Sequence, residues 1–386
     1  MQNPIALEPN TGRLVVQEPV VAGVAPVAPT APEAEPFALR MASGGRAWAN
    51  TVAEWRTLTR RAPPMLTPEF MLLTARLVGA DDVALFGARR GGSLCAALPL
   101  VRRGRTLVAL RSDHTPRFDF AGDAACVPAV WRAVRDEAGW DVLDLRGIPC
   151  DSALAKELPE LARGDGCRAV VQPGNRAPWF EMAGIEQRIH RRFRGDMRRL
   201  ERQMGGVELE RVTVFDRAAL DEVLRLEAAA WKGAAGTAIA CDERLTHFYR
   251  ALARVFARRG ALNLAFLRAN GRRIAAQFAL EDATTHYLMK TGYDPEYAHF
   301  GPGQLLVRET AADAARRGLV RYDLLGKDTP WKMKWTSSVR EHVDIRIYAP
   351  TLRGRARHFT FAVARPMVGR ARRALLAGAR GPGRQP

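Results

Sequence analysis

Cysteine is scarce in this chain and follows no pattern. Cys95, Cys126, Cys150, Cys167 and Cys241 are odd in number and form no Cys-x-x-Cys pair. That argues against a disulfide framework or a zinc ribbon and fits reduced thiols in a cytoplasmic protein. No apolar run approaches the ~20 residues that a bilayer-spanning helix needs. The amino terminus lacks the basic start and apolar core of a secretory signal. Neither His286 nor His299 has a second histidine at the helical four-residue spacing of a metal site, so no metal is expected. A nucleophile elbow of the serine-hydrolase kind is missing as well.

Acid is also in short supply. Against 59 Lys and Arg stand 41 Asp and Glu, a net charge of +18, which favours a polyanionic partner such as nucleic acid, an acidic membrane or an acidic polymer. The excess is unevenly spread. Residues 351–386 hold Arg353, Arg355, Arg357, Arg365, Arg370, Arg372, Arg373, Arg380 and Arg384 with no acid, so about half of it lies in a terminal tail. With Phe359, Phe361, Val363, Met367, Leu375 and Leu376 among the arginines, this tail is a candidate anchor on anionic lipid at the inner face of the membrane, interrupted by Pro366 and Gly369.

What remains is long and apolar enough for two domains: 386 residues, 47% hydrophobic. Residues 1–46, rich in Pro, Ala and Val without helical period, are expected to be a disordered leader. A first half follows over 47–183, with a helix-like stretch at 68–78, a hairpin at Arg90-Gly91-Gly92, and a helix then a strand over 131–146. A second half over 207–350 repeats that order. Gly-Trp-Asp-Val-Leu-Asp-Leu-Arg-Gly ending at Gly147 resembles Gly-Leu-Val-Arg-Tyr-Asp-Leu-Leu-Gly ending at Gly326, an offset of 179 that also superimposes Gly92 on Gly271 of the turn Asn270-Gly271. Between the halves, over 184–206, Ile185, Ile189, Phe193, Met197, Leu200 and Met204 recur at spacings of three and four. That is one apolar stripe among arginines, a basic amphipathic connecting helix.

The richest stretch is His-Phe-Gly-Pro-Gly-Gln-Leu-Leu at 299–306. Before it, residues 285–291 alternate as a strand does; after it, 304–317 is free of Gly and Pro and ends at Gly318, as a helix does. A helix that starts at a Gly-Pro-Gly turn is expected to leave the N–H groups of Gly303, Gln304 and Leu305 outward-facing, a seat for phosphate. A strand at 319–325 then completes a parallel crossover unit. In the first copy Gly301, Pro302 and Gly303 become Gly122, Asp123 and Ala124. An aspartate there repels phosphate and suits a helix cap, so the first half reads as a copy without cofactor.

Three stretches in order carry a resemblance: Leu-Glu-Ala-Ala-Ala-Trp-Lys-Gly-Ala-Ala-Gly-Thr at 226–237, the turn at 299–306 with its following strand, and Pro330-Trp331-Lys332-Met333-Lys334-Trp335. Together they resemble the GNAT-type acyltransferases of the bacterial cellulose- and exopolysaccharide-associated (CelD-type) group, which is itself similar to the peptidoglycan Fem transferases. The likeness is strongest over 186–348. Trp331 stands where the family usually has Tyr.

The resemblance implies an α/β (α+β) chain of tandem GNAT-like folds, mixed sheets flanked by helices, with acetyl-CoA or another acyl-CoA as co-substrate. Gly301, Gly303, Gln304 and Leu305 would hold its pyrophosphate, and the pantetheine arm would run between two splayed strands. A backbone N–H near Thr291 or Gly292 would meet the developing oxyanion. Asp323 is a candidate base, although Asp144 fills the same place in the first copy; Tyr293 is placed to return a proton to the departing sulfur. Lys332 would hold an anionic substrate, with Trp231, Lys232, Lys334 and Trp335 around the acceptor. The lysines would otherwise be cation–π packing.

The expected reaction is transfer of an acyl group to an amine or hydroxyl of a cell-envelope or exopolysaccharide precursor, a small molecule or glycan, with no nucleic-acid partner. The alternatives are a Fem-like transferase using aminoacyl-tRNA, for which the expected coiled-coil arm is missing, and a non-catalytic accessory protein of polysaccharide synthesis.

Overall fold

The structure, a computed structural model, describes residues 5–7, 14–16, 33–229 and 238–364. Met1–Glu33 is a unit of its own, in which Ile5–Leu7 pairs antiparallel with Leu14–Val16. The rest forms a second unit. In it the strands are β1 (Glu35–Arg40), β2 (Val83–Arg90), β3 (Ser93–Arg103), β4 (Thr106–Ala109), β5 (Val142–Pro149), β6 (Arg168–Glu181), β7 (Glu208–Val212), β8 (Leu262–Ala269), β9 (Arg272–Glu281), β10 (Thr285–Tyr293), β11 (Arg321–Asp323) and β12 (Val339–Tyr348). With the short Ala121–Gly122 against β3, these make one sheet of 13 strands, in the order β7-β8-β9-β10-β11-β6-β12-β5-β4-β3-β2-β1.

The internal repeat is visible strand by strand. Strands start at 83, 93, 106 and 142 in the first half and at 262, 272, 285 and 321 in the second, a constant separation of 179. Both hairpins close through two residues of positive φ, Gly91-Gly92 and Asn270-Gly271, the backbone that a type I′ turn demands. In each half a parallel pair follows, β4 with β5 and β10 with β11. The halves interlock by lending strands. β6, from the first half, pairs with β11 of the second, and β12 inserts between β6 and β5.

Helices sit where local signals put them. Pro68–Leu77 (α2) starts at Thr67, whose hydroxyl accepts from Phe70 N, and Glu243–Arg258 (α7) starts at Asp242, which accepts from Arg244 N and Leu245 N. The second half is covered on both faces. Pro302–Arg316 (α8) and the connector Arg191–Gln203 (α5) pack on one face with Leu288, Leu305 and Tyr322; Arg217–Ala229 (α6) and α7 pack on the other with Phe278 and Tyr287. Phe70 of α2 wedges edge-on against Phe248 and Phe256, centroids 5.9 and 6.3 Å away. Complete burial of such a ring stabilises the junction of the halves by about 1.5–3 kcal/mol.

Several expectations need adjusting. The stretch read as a leader becomes ordered at β1, which pairs with the edge strand β2, and runs on into the helix Met41–Leu58. Its order is tertiary: the Phe37 ring packs against Gly87, where an added Cβ would come within 2.7 Å of it, and Arg40 pairs with both Asp82 and Glu137. The connector keeps its apolar stripe, with Ile189, Met197 and Met204 buried. It is broken after Ile185–Arg188, because His190 caps a new helix by accepting from Arg192 N. The basic tail is docked over its first turns. Thr351 bonds Asp141 (3.3 Å), Arg357 bonds Thr106 (3.1 Å), and the Arg346 guanidinium covers the Phe361 ring at 3.8 Å. Residues 365–386 lie outside the described residues. Cys95 and Cys126, distant in sequence, bring their sulfur atoms to 2.9 Å.

Candidate functional site

The two parallel strands of the second half part company early. β10 pairs with β11 only from Thr285 to Tyr287, opposite Arg321 to Asp323, and then runs on to Tyr293. From Leu288 onward the edge of β10 that faced β11 pairs with no other strand among the described residues, and it borders a gap. On its other edge the pairing with β9 skips from Leu288–Ala279 to Lys290–Phe278, a β-bulge at Met289 that bends the strand at this point.

A cavity of about 580 Å³ fills the gap. One wall is β10 from Leu288 to Tyr293, and the opposite wall is the segment Leu324, Leu325 and Gly326 with Trp331 and Lys332. The lining takes in Gly301, Gly303 and Gln304 of the α8 start from one face of the sheet and Tyr249 of α7 from the other, together with Asp113, His114 and Pro116 from a loop of the first half. The cavity therefore joins the α8 face of the sheet to the α7 face.

Gly301 adopts φ 61°, ψ 46°, a left-handed cap that favours glycine. The free donors are fewer than the sequence suggested. Gln304 N and Leu305 N both donate to the Gly301 carbonyl (2.9 and 3.2 Å), and Pro302 has no N–H. In this first turn Gly303 N–H is the donor left over, since helix geometry offers it no acceptor. Leu305 is wholly buried in the core. Gln304 lines the cavity and is held by Trp335, whose Nε1 donates to its Oε1 at 2.6 Å.

Of the other sequence candidates, Tyr293 and Lys332 reach the cavity wall. Lys332 Nζ donates to the Leu325 carbonyl at 2.6 Å. Lys334 does not line the cavity; its ammonium lies 5.6 Å from the Phe193 centroid. Trp335 is only 2% exposed and stacks on Phe180 at 5.8 Å. Trp231 and Lys232 fall outside the described residues. Asp323 is fully buried, accepting from Arg340 Nη1 at 2.6 Å and from Leu325 N at 2.9 Å. Its counterpart Asp144 is clamped by Arg346 at 2.7 Å. Both copies thus bind an arginine of the shared strand β12. Asp323 also pins Leu325, a non-glycine residue at φ 52°, a conformation that costs on the order of 1 kcal/mol and needs such a partner.

Sequence reasoning missed the α7 side of the cavity. His114 Nδ1 and the Tyr249 hydroxyl are 3.0 Å apart, their rings edge to face. Burial, with the Lys290 ammonium nearby, pushes the His114 imidazole down to about 4, so it is neutral at pH 7. Burial also raises the Tyr249 phenol well above its usual range, with Glu227 adding to the rise. The repeat did carry a signal, because His114 stands 179 residues before Tyr293.

The helix start of the first copy is built differently. Asp123 accepts from Ala125 N (3.0 Å), pairs with Arg90, and begins only a single 3-10 turn, Ala124–Cys126, before the helix Val127–Arg135. Among the described residues no group of three or more His, Cys, Asp and Glu is placed to hold a metal ion, and no helix is long and apolar enough to cross a membrane.

Residues 187–333 match the family model described as an acetyltransferase (GNAT) domain. The chain carries a GNAT-type domain. In fold it is similar to FemX (TM-score 0.57, 10% identity, covering 80% of this chain and 98% of that one). It is also similar to the C-terminal domain of a proposed lysylphosphatidylglycerol synthetase from Agrobacterium fabrum (TM-score 0.51, 14% identity, 81% and 95% covered). A conserved protein of unknown function from Bacteroides thetaiotaomicron is comparable (TM-score 0.51, 13% identity, 77% and 97% covered). Against curated proteins the chain has no match. The whole is a tandem GNAT fold: a large mixed sheet flanked by helices, one GNAT-like copy in each half.

Proposed function

We propose that this chain moves an acyl group from acyl-CoA to an amine or hydroxyl of a cell-envelope or exopolysaccharide precursor, as expected from its likeness to the CelD-type acyltransferases. The observation that carries the reading is the cavity between the parted ends of β10 and β11, which opens at the Gly303 N–H and runs along the strand edge that β11 leaves. This shape suits a phosphate at the helix start and an extended pantetheine arm lying along β10, and its other end leaves room for an acceptor. An anion at the start of a 15-residue helix gains from the macrodipole as well as from the Gly303 donor.

On this reading Asp323 is a positioning residue rather than the base, because both of its oxygens are engaged and it does not reach the cavity. Lys332 helps to fix the same segment through the Leu325 carbonyl while keeping its place on the wall. Gln304, Tyr293 and the Met289–Gly292 backbone are the groups that meet the thioester arm.

One feature favours the second reading, an aminoacyl-tRNA-dependent transfer. The connector α5 leaves Arg191, Arg192, Arg198, Arg199 and Arg202 exposed, and it lies beside the α8 start, with Leu200 Cδ1 3.8 Å from where a Gly301 Cβ would stand and Glu201 paired to Arg308 at 2.8 Å. Calorimetry with acetyl-CoA and gel-shift with charged tRNA separate the two. Acetyl-CoA binding unaffected by tRNA supports the first reading; tRNA binding with no heat from acetyl-CoA replaces it with the second.

A further inference from the structure

The loop that follows β4 in the first half brings Asp113, His114 and Pro116 to the cavity of the second, and His114 is the one that carries an acid–base group held by a partner across the fold. Its turn is fixed by Ser112 and Thr115: Thr115 N donates to Ser112 O (3.0 Å), Ser112 N to Thr115 Oγ1 (3.1 Å), and His114 N to Ser112 Oγ (3.1 Å). Thr115 is completely buried, and its hydroxyl meets that of Thr74 on α2 at 3.4 Å. His114 projects from this turn, half-buried, onto the cavity wall beside Lys290 and Thr291. Tyr249 then holds the ring, and Tyr249 is itself fully buried, edge-on against Phe248 and Phe278 at 5.4 and 5.2 Å.

We propose that His114 is a catalytic acid–base residue of the acyl transfer, contributed by the first half of the chain to the cavity of the second and oriented by Tyr249. The inference rests on the acyl-CoA reading. Gly303 and His114 line one cavity from opposite faces of the sheet, so an arm threaded from the α8 face brings its acyl end toward His114. With Nδ1–H donating to the Tyr249 oxygen, Nε2 keeps its lone pair. It takes the proton from the acceptor N–H or O–H as the acceptor's electron pair forms a bond to the thioester carbonyl carbon. The C–S bond then breaks, its electron pair leaves on sulfur, and the imidazolium proton passes to that sulfur, giving acylated acceptor and free thiol with His114 neutral again.

The groups around the ring agree with this role. Burial first, and then the nearby Lys290 ammonium, oppose a resting imidazolium, while Asp113 from its own loop, Glu227 from α6 and Asp242 at the start of α7 act in the other direction. The balance leaves a neutral base that becomes charged only in the act of transfer. Tyr249 is a positioning residue, because its hydroxyl acts through the ring and not on the substrate. The first copy, which has lost the phosphate seat, thereby supplies the acid–base group.

The test uses bromoacetyl-CoA on the full chain. Attack by Nε2 on the carbon next to the thioester carbonyl forms an N–C bond and expels bromide, and mass spectrometry of the digest locates the adduct. The expected result is an adduct on the peptide carrying His114, suppressed by excess desulfo-CoA and lost in His114→Gln, with acetyl-CoA affinity by calorimetry retained in that variant. Tyr249→Phe should keep the affinity and slow the labelling. If acetyl-CoA binds while the desulfo-CoA-sensitive adduct forms elsewhere or not at all, His114 has no such role and the acyl-CoA reading survives. If acetyl-CoA does not bind the wild type, both fall.

Discussion

Replacing Gly303 with Asp should stabilise the protein and abolish anion binding at the proposed seat. Gly303 is the second residue of α8, and a Cβ added there would meet Tyr293 Cδ1 at 3.5 Å, ordinary van der Waals contact. A side chain therefore fits. A carboxylate in the first turn of a helix gains about 0.3–1 kcal/mol from the macrodipole, so unfolding in urea should shift slightly upward. Toward a bound phosphate the same charge is repulsive. At a separation of about 5 Å and an effective dielectric constant of about 20, two unit charges repel by roughly 3 kcal/mol, on the order of a hundredfold in Kd. Gly303→Ala, which adds the Cβ without the charge, should lose far less. The assay is acetyl-CoA calorimetry on all three proteins, with denaturation run alongside. An Asp variant that binds acetyl-CoA as tightly as the wild type would refute the seat at Gly303, whatever the Ala control shows.

Two further outcomes follow from buried charges. Arg340→Ala strands the Asp323 carboxylate with no counter-ion at a fully buried position, and should cost about 3–5 kcal/mol in urea unfolding; a variant as stable as the wild type would remove the case for Asp323 as scaffold. Asp119 is raised by burial to about 6, against which Ser152 and Phe120 N act as donors. In the unfolded chain it loses its proton first as pH rises, so the folded state binds more protons between pH ~4 and ~6 and stability falls across that window by up to roughly 3 kcal/mol, then levels off. Asp119→Asn should lack this slope in unfolding curves run at pH 4.5, 5.5 and 7.

The local sequence determined the parts that local physics governs. Asn270-Gly271 and Gly91-Gly92 are turns because positive φ is cheap there; α2 begins at Thr67-Pro68 because the hydroxyl and the fixed proline φ nucleate it; Gly318 ends α8. The offset of 179 was legible because a duplicated fold keeps its strand spacing even when side chains diverge. Gly301 to Gln304 were legible as a helix start, and Tyr293 and Lys332 as neighbours of it.

Tertiary structure alone decided the rest. Nothing in the order of residues says that β12 crosses into the first half's sheet or that β6 joins the second, because strand partners are chosen by packing across long separations. Trp335 and Lys334 looked alike beside Lys332, yet one ring is buried against Phe180 and one ammonium sits on Phe193. The N–H groups of Gln304 and Leu305 looked free until the Gly301 carbonyl was placed beneath them. His114 carries no motif of its own. It enters the cavity because a loop held by Thr74 and Thr115 crosses from one copy to the other, and a contact between residues 135 apart in the chain is set by the fold.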